Sequence, residues 1–407
     1  MPSSDPTVPV GGAAPPFRVS RARTGDLLVF AVNGFSFASW MSRIPDVKEF
    51  LVLTPGMLSW LLLAVSAGAL VGLPVAGRLA HRLGASRTVR VAMLVALPGL
   101  VLAAVAVQAQ APIAWAVPGL FLLGLGNGVW DVAQNLEGTI IERELGRAIM
   151  PWFHAAFSGG TVLGALAGAG LTALHVPLVA HIGTVAVIAA VAVWWGTGQF
   201  LAAYDEGGAA AADASPTPAR SAWTEPRTLL IGLVVLAAAF AEGTANDWMA
   251  VAFVDGHGFD KSLGVVALAI FLSFMTAGRV LGTRALDRFG RVVVLYVLFG
   301  LAVVGCALVV FGDPWLAVAG AAVWGIGASL GFPVGMSAAA DDPQRAPLRL
   351  SVVSTIGYLA FLGGPPLLGF LGDHFGVLRA LLVVGAMSLL AMLVVPVTRT
   401  ARPGKAH

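Results

Sequence analysis

Of the 407 residues, 58% are hydrophobic and only 11% are charged, with a formal net charge of +3, where a typical soluble domain carries roughly 25% charged residues. That balance excludes a soluble globular fold, which could not hide so much apolar surface. The single cysteine, Cys306, excludes an internal disulfide, and a basic excess scattered along the chain in short clusters excludes a nucleic-acid-binding face.

Residues 1–24, rich in Pro, Gly and Ser and closed by Arg18, Arg21 and Arg23, read as a disordered tail. A membrane-spanning helix needs about 20 apolar residues. Runs of that kind follow at 25–44, 56–80, 88–108, 113–141, 152–174 and 177–201, the last two divided only by His175 and Pro177, and together they make a first bundle over 25–203. Tyr204 to Arg227, with its alanine run and Ser215-Pro216-Thr217-Pro218, has the composition of a linker. Six further runs, at 228–254, 262–285, 292–312, 315–340, 350–371 and 376–397, make a second bundle over 228–398, and 399–407 is a second tail. The predicted fold class is an all-α polytopic membrane protein of twelve transmembrane helices in two pseudo-symmetric six-helix bundles.

The basic residues orient these spans. With the N-terminus inside, the inner loops collect arginines such as Arg78, Arg82, Arg143, Arg227, Arg288 and Arg399, while the outer loops hold Arg43, Lys48, Lys261 and Arg379. Positive side chains resist translocation, so both termini and the linker are expected in the cytoplasm. The halves also repeat one another. Gly119-Leu-Phe-Leu-Leu-Gly124-Leu-Gly126 in the fourth run matches Gly320-Ala-Ala-Val-Trp-Gly325-Ile-Gly327 in the tenth, and His81-Arg82-Leu83-Gly84 matches Asp287-Arg288-Phe289-Gly290. Duplicated six-span halves are the plan of carriers that rock about a midplane site.

At these loops the chain resembles the major facilitator superfamily. Its pattern Gly-x-x-x-Asp-Arg-x-Gly-Arg is altered at Gly77–Gly84, where His81 stands for the aspartate, and recurs at Thr283–Arg291 with Asp287 and Arg288 in place. Trp40-Met-Ser-Arg43-Ile-Pro45, Asp131-Val-Ala-Gln-Asn135 and Phe153-His154 with Phe157-Ser158-Gly159 are similar to the rhizopine-transporter-like branch, related to fucose permeases. The resemblance implies alternating access, with a gate at the inner loops through Arg82, Asp287 and Arg288. It also implies a bacterial cytoplasmic membrane and a chain acting as a monomer.

An ionisable group inside a span is a functional candidate by default. Asn127, Asp131 and Asn135 recur every four residues and share a helix face, with Asp131 about ten residues, or ~15 Å, from the span's end. With Trp130 and Gln134 they are expected to wall a substrate cavity, or to act as polar glue between helices. Glu242 and Asn246 sit one turn apart in the seventh run beside Trp248. Asp247 reads as a cavity group or as a solvated or interhelical pair. Asn33 and Trp40 in the first run and Ser158 in the fifth complete the expected substrate contacts. Asp131, Glu242 and His154 are the candidate proton carriers, His154 reading equally as a satisfied interfacial histidine, and Arg43 with Asp46 an outer gate or surface pair. Arg279 is expected to reach the bilayer surface or pair with Asp287. No Ser-His-Asp set, HExxH, metal cluster or phosphate loop is present, so neither enzyme chemistry nor a cofactor is expected. The expected partners are a small solute, protons and lipid. The solute is a sugar- or polyol-like import substrate or, alternatively, an exported hydrophobic compound; a non-transporting membrane sensor is the reading from another class.

Overall fold

In the computed structural model, which describes residues 16–146, 149–201, 220–342 and 345–399, two helices are far longer than a bilayer is thick. The elements in order are α1 (Pro16–Met41), α2 (Ile44–Phe50), α3 (Pro55–Gln108), α4 (Ile113–Leu145), α5 (Met150–Ala173) and α6 (Leu178–Thr197), then α7 (Arg220–Trp223), α8 (Pro226–His257), α9 (Lys261–Phe311), α10 (Pro314–Ala328), α11 (Gly331–Ala339), α12 (Ala346–Phe375), α13 (Val377–Ala380) and α14 (Leu382–Val394). The 54 residues of α3 would extend ~81 Å at 1.5 Å per residue, against a hydrocarbon core of about 30 Å. Gly84 resolves this: at φ 76°, ψ 164° it breaks the helix into two legs. Gly290 breaks the 51-residue α9 at φ 76°, ψ 165°. Among the described residues ten helical segments are long and apolar enough to cross a membrane, and these two breaks raise the crossings to twelve. The matching glycines of the two repeated loop motifs thus share one backbone conformation, open in practice only to glycine.

The starts of three legs are fixed by capping side chains. Thr54 accepts from Met57 N–H, Asp260 from Leu263 N–H, and Asp313 from Trp315 and Leu316 N–H. The Ser262 hydroxyl and the Leu263 N–H together hold the Asp260 carboxyl below its ordinary range. Inside each half, small residues allow close helix contact. Gly124 of α4 lies against the Val65 carbonyl of α3, and its repeat counterpart Gly325 of α10 lies against the Phe271 carbonyl of α9. Gly160 and Gly164 of α5 abut Ala31 and Phe35 of α1, the helix-packing role that small-residue spacing supports in lipid. Large apolar side chains such as Leu94, Val187, Leu281 and Leu393 are exposed around the outside, a surface suited to acyl chains.

The first helix begins at Pro16, so residues 16–24, expected within the tail, extend α1 instead. Its arginines there suit a helix end at the membrane surface as well as a tail. The remaining tail residues 1–15 and 400–407, the end of the first bundle at 202–203 and most of the expected linker, 204–219, lie outside the described residues, while α7 occupies 220–223 and α8 takes the linker's last residues, Pro226 and Arg227. The tenth run is divided at Ser329–Leu330 into α10 and α11, and the short helix α2 was not legible as a separate element.

Gly290→Ala tests the backbone requirement in isolation, since a Cβ there meets no atom within 4 Å. The substitution is expected to destabilise the detergent-solubilised protein by about 1–3 kcal/mol from strain alone. Gly300→Ala, equally open but helical, should leave the melting temperature unchanged or raised. Equal melting temperatures for the two variants would contradict the strained break.

Candidate functional site

Helical periodicity turns Asn127 and Asp131 of α4 to one side, and α1 and α5 bring Asn33, Phe37 and Phe157 beside them. From the second half, α8 presents Asn246 and Asp247, and α12 presents Tyr358 and Phe361. These side chains, with aliphatic ones from the first leg of α3, enclose a cavity of about 300 Å³ between the two halves, at the lower end of the ~300–1,000 Å³ found for ligand pockets. A chain of amides leads into it. Asn33 Nδ2 donates to Gln134 Oε1 at 3.5 Å, and Gln134 Nε2 donates to Asp131 Oδ1 at 3.2 Å. Asn135 Nδ2 donates to the same Oδ1 at 3.3 Å and to the Asp131 carbonyl at 2.8 Å. Gln134 is fully buried and off the lining, so it joins the two lining residues Asn33 and Asp131 from behind the cavity wall.

Other candidates are not brought to the cavity. Trp40, Trp130 and Trp248 are fully buried in the helix packing and do not line it. The indole N–H groups of Trp40 and Trp130 have no hydrogen-bond partner. Ser158 is buried and its carbonyl accepts from the Thr161 hydroxyl. Glu242 lies off the lining and is held by Arg279 at 2.7 Å. Arg279 also donates to the Ser329 carbonyl at 3.2 Å, so it reaches neither the bilayer surface nor Asp287, because the carboxylate one turn across in α8 is nearer. His154 is exposed, with its ring edge-on to Phe30 at 5.6 Å. Asp247, by contrast, lines the cavity and makes no hydrogen bond or ion pair among the described residues. The aromatic lining by Phe37, Phe157, Tyr358 and Phe361 also went unread. In an apolar sequence, cavity rings and lipid-facing rings look alike.

At the α2 end of the molecule, charged side chains tie the halves together. The buried Arg43 donates to Asp46 Oδ2 at 2.7 Å, to His181 Nδ1 at 2.9 Å and to the Val176 carbonyl at 2.9 Å. Asp46 uses its other oxygen to hold Lys261 of the second half at 2.7 Å, and Lys261 also pairs with Glu49. Lys48 pairs with Asp255 at 2.8 Å, and Gly56 N–H donates to Asp373 Oδ1 at 3.0 Å. Both pairs again join one half to the other.

The two-half plan with its interfacial cavity has known counterparts. The family model described as Major Facilitator Superfamily matches residues 27–315 and 261–407. The chain belongs to the Major Facilitator Superfamily. Among superfamily relatives, the uncharacterised transporter y4wD of Sinorhizobium fredii is 31% identical over 373 residues, covering 91% of this chain and 96% of its own. The membrane protein MosC of Rhizobium meliloti is 26% identical over 388 residues, covering 94% and 91%. The solved nucleoside transporter NupG matches with a TM-score of 0.74 at 14% identity, over 95% of this chain and 100% of that one. The Escherichia coli fucose:proton symporter FucP matches with 0.59 at 16%, over 91% and 98%. Identities this low show the shared fold. As a superfamily member the chain is a multi-pass membrane transporter and not an enzyme.

The superfamily loop motif lies at the end opposite α2. There Arg82 and Asp287 are exposed and make no hydrogen bond or ion pair among the described residues, and Arg288 stacks over Phe289 at 5.2 Å. The motif residues therefore do not bridge the halves in this state, whereas Lys261 does, through Asp46 and Glu49.

Lys261→Ala removes two of the ion pairs across the α2 end. Spin labels at Val52→Cys and Phe311→Cys, in a Cys306→Ser background, are expected to show a longer and broader distance distribution in this variant. An unchanged distribution would mean that these pairs do not hold the halves.

Proposed function

We propose that this chain is a secondary active transporter of a small polar solute, sugar- or polyol-like in its hydrogen bonding. It works by alternating access in a bacterial cytoplasmic membrane, with protons as the coupling ion. Both termini are cytoplasmic in this reading, because the arginine-rich loops share their side of the molecule and positive residues resist translocation. The α2 end is then external, and the conformer with ion pairs at that end and an unbridged motif at the other is inward-facing. The nucleoside transporter NupG and the fucose:proton symporter FucP show what this architecture carries elsewhere.

The observation that carries the reading is Asp131, a carboxylate on the wall of an interfacial cavity, oriented from behind by Gln134 and Asn135. Both amides address Oδ1, which leaves Oδ2 for a ligand or a proton. Glu242, ion-paired with Arg279, is the weaker candidate carrier because its charge is already compensated. A proton moving through 100 mV supplies about 2.3 kcal/mol, enough to concentrate a solute by more than tenfold.

A thermal-shift screen of sugars, polyols and amino acids identifies a solute for proteoliposome assays. With that solute, Asp131→Asn is expected to keep downhill exchange and to lose uphill accumulation driven by a pH gradient. Full accumulation by the variant would remove Asp131 as the proton carrier.

A further inference from the structure

The cavity is unbalanced in charge. Asp131 comes from one half and Asp247 from the other, and among the described lining residues there is no Lys, Arg or His. Elsewhere in this molecule the acidic side chains near the interface are matched: Glu242 has Arg279, Asp46 has Arg43 and Lys261, and Asp255 has Lys48. Inside the cavity no protein cation performs that service. Asp131 has amide donors on one oxygen only, and Asp247 has no donor at all.

A carboxylate facing a largely apolar space needs a compensating charge or donor, and this cavity of about 300 Å³ is lined by two. The remaining walls point to the same kind of occupant. Four rings, Phe37, Phe157, Tyr358 and Phe361, line the cavity from both halves, and the faces of such rings attract cations, the more so away from bulk water. Asn33 uses one of its two amide N–H bonds on Gln134, and its carbonyl oxygen, with no donor among the described residues, adds an acceptor.

We propose that the solute carried by this site bears a positive charge: a small organic ammonium ion held between Asp247 and Asp131 with its carbon frame against the aromatic rings. The inference rests on the transporter reading above and narrows its substrate class. It also divides the labour of the two acids. Asp247 neutralises the ammonium group, while Asp131, positioned by its amides, stays available for the coupling proton. An anionic solute is rejected because it would leave three negative groups together without a counter-charge.

The test uses the purified full-length protein and two matched triads. One is D-glucosamine, D-glucose and D-glucuronate; the other is cyclohexylamine, cyclohexanol and cyclohexanecarboxylate. The amine of at least one triad is expected to raise the melting temperature at concentrations where its neutral and carboxylate partners do not. Asp247→Asn should weaken that amine by roughly tenfold or more, the loss of one charge-assisted bond, and Asp247→Glu should restore most of it. Equal or tighter binding of a neutral or anionic member, no binding by either amine, or an unaltered amine affinity in Asp247→Asn would overturn the proposal. Flux in proteoliposomes separates the two readings. Amine binding without flux removes transport and leaves the charge preference, whereas flux of neutral members alone does the reverse.

Discussion

The structure depends on one constraint of the bilayer interior: it offers no hydrogen-bond partner, so polar groups within the spans must find theirs in the protein. Hydroxyls return to their own helix, as Ser39 does to the Phe35 carbonyl and Thr276 to Leu272. Glu242 takes Arg279, and Glu137 takes the Leu201 N–H. The exceptions fall into two groups. Some are sealed within the helices, such as the Trp40 and Trp130 indoles and both oxygens of the fully buried Asp26. The others, Asp247 and the side chains of Asn127 and Asn246, look into the cavity between the halves. Packing accounts for neither their position nor their lack of partners. In the proposed reading, a bound solute accounts for both.

The bonds across the halves are of the strength that alternation requires. Lys48–Asp255 and Lys261–Asp46 are partly solvated, and exposed or half-exposed ion pairs contribute only about 0–1 kcal/mol each. A few such pairs bias one conformer without locking it, and the equilibrium then responds to modest differences in how a solute binds the two states. Arg43 serves the arrangement from below. Its contacts to His181 and Val176 fix it against α6 and the turn before it, and it in turn presents Asp46 to Lys261.

Much of this was legible in the sequence, for reasons that can be traced to particular residues. Spans are read from hydropathy because the bilayer admits helices of a narrow range of lengths. The repeat was read from Gly124 and Gly325 and from Gly84 and Gly290. Those glycines answer to hard steric demands, a carbonyl of the neighbouring helix in one case and a positive φ in the other. Asp131 was visible through its i, i+4 amides. Asp247 was left open between a cavity role and a solvated or interhelical pair, because which side of α8 faces the other half depends on how the bundles meet and not on spacing within one helix. The tryptophans misled for a related reason: a large amphipathic ring in a span fits a binding site, a lipid interface or a core, and here three of them are core. Lys261 was seen only as a charge in an outer loop, since its partners Asp46 and Glu49 are more than two hundred residues away in the chain.

In the proposed transport cycle the cavity between the halves opens to one side of the membrane at a time and, in this conformer, to the side of the termini. Asn127 lines that cavity without a side-chain partner among the described residues, so Asn127→Cys in a Cys306→Ser background reports on access to it. The decisive measurement compares its modification by a membrane-impermeant thiol reagent in inside-out and right-side-out vesicles without solute. Rapid labelling in inside-out vesicles and protection in right-side-out ones is the predicted result. Labelling confined to right-side-out vesicles, or equally fast from both faces, would contradict the account.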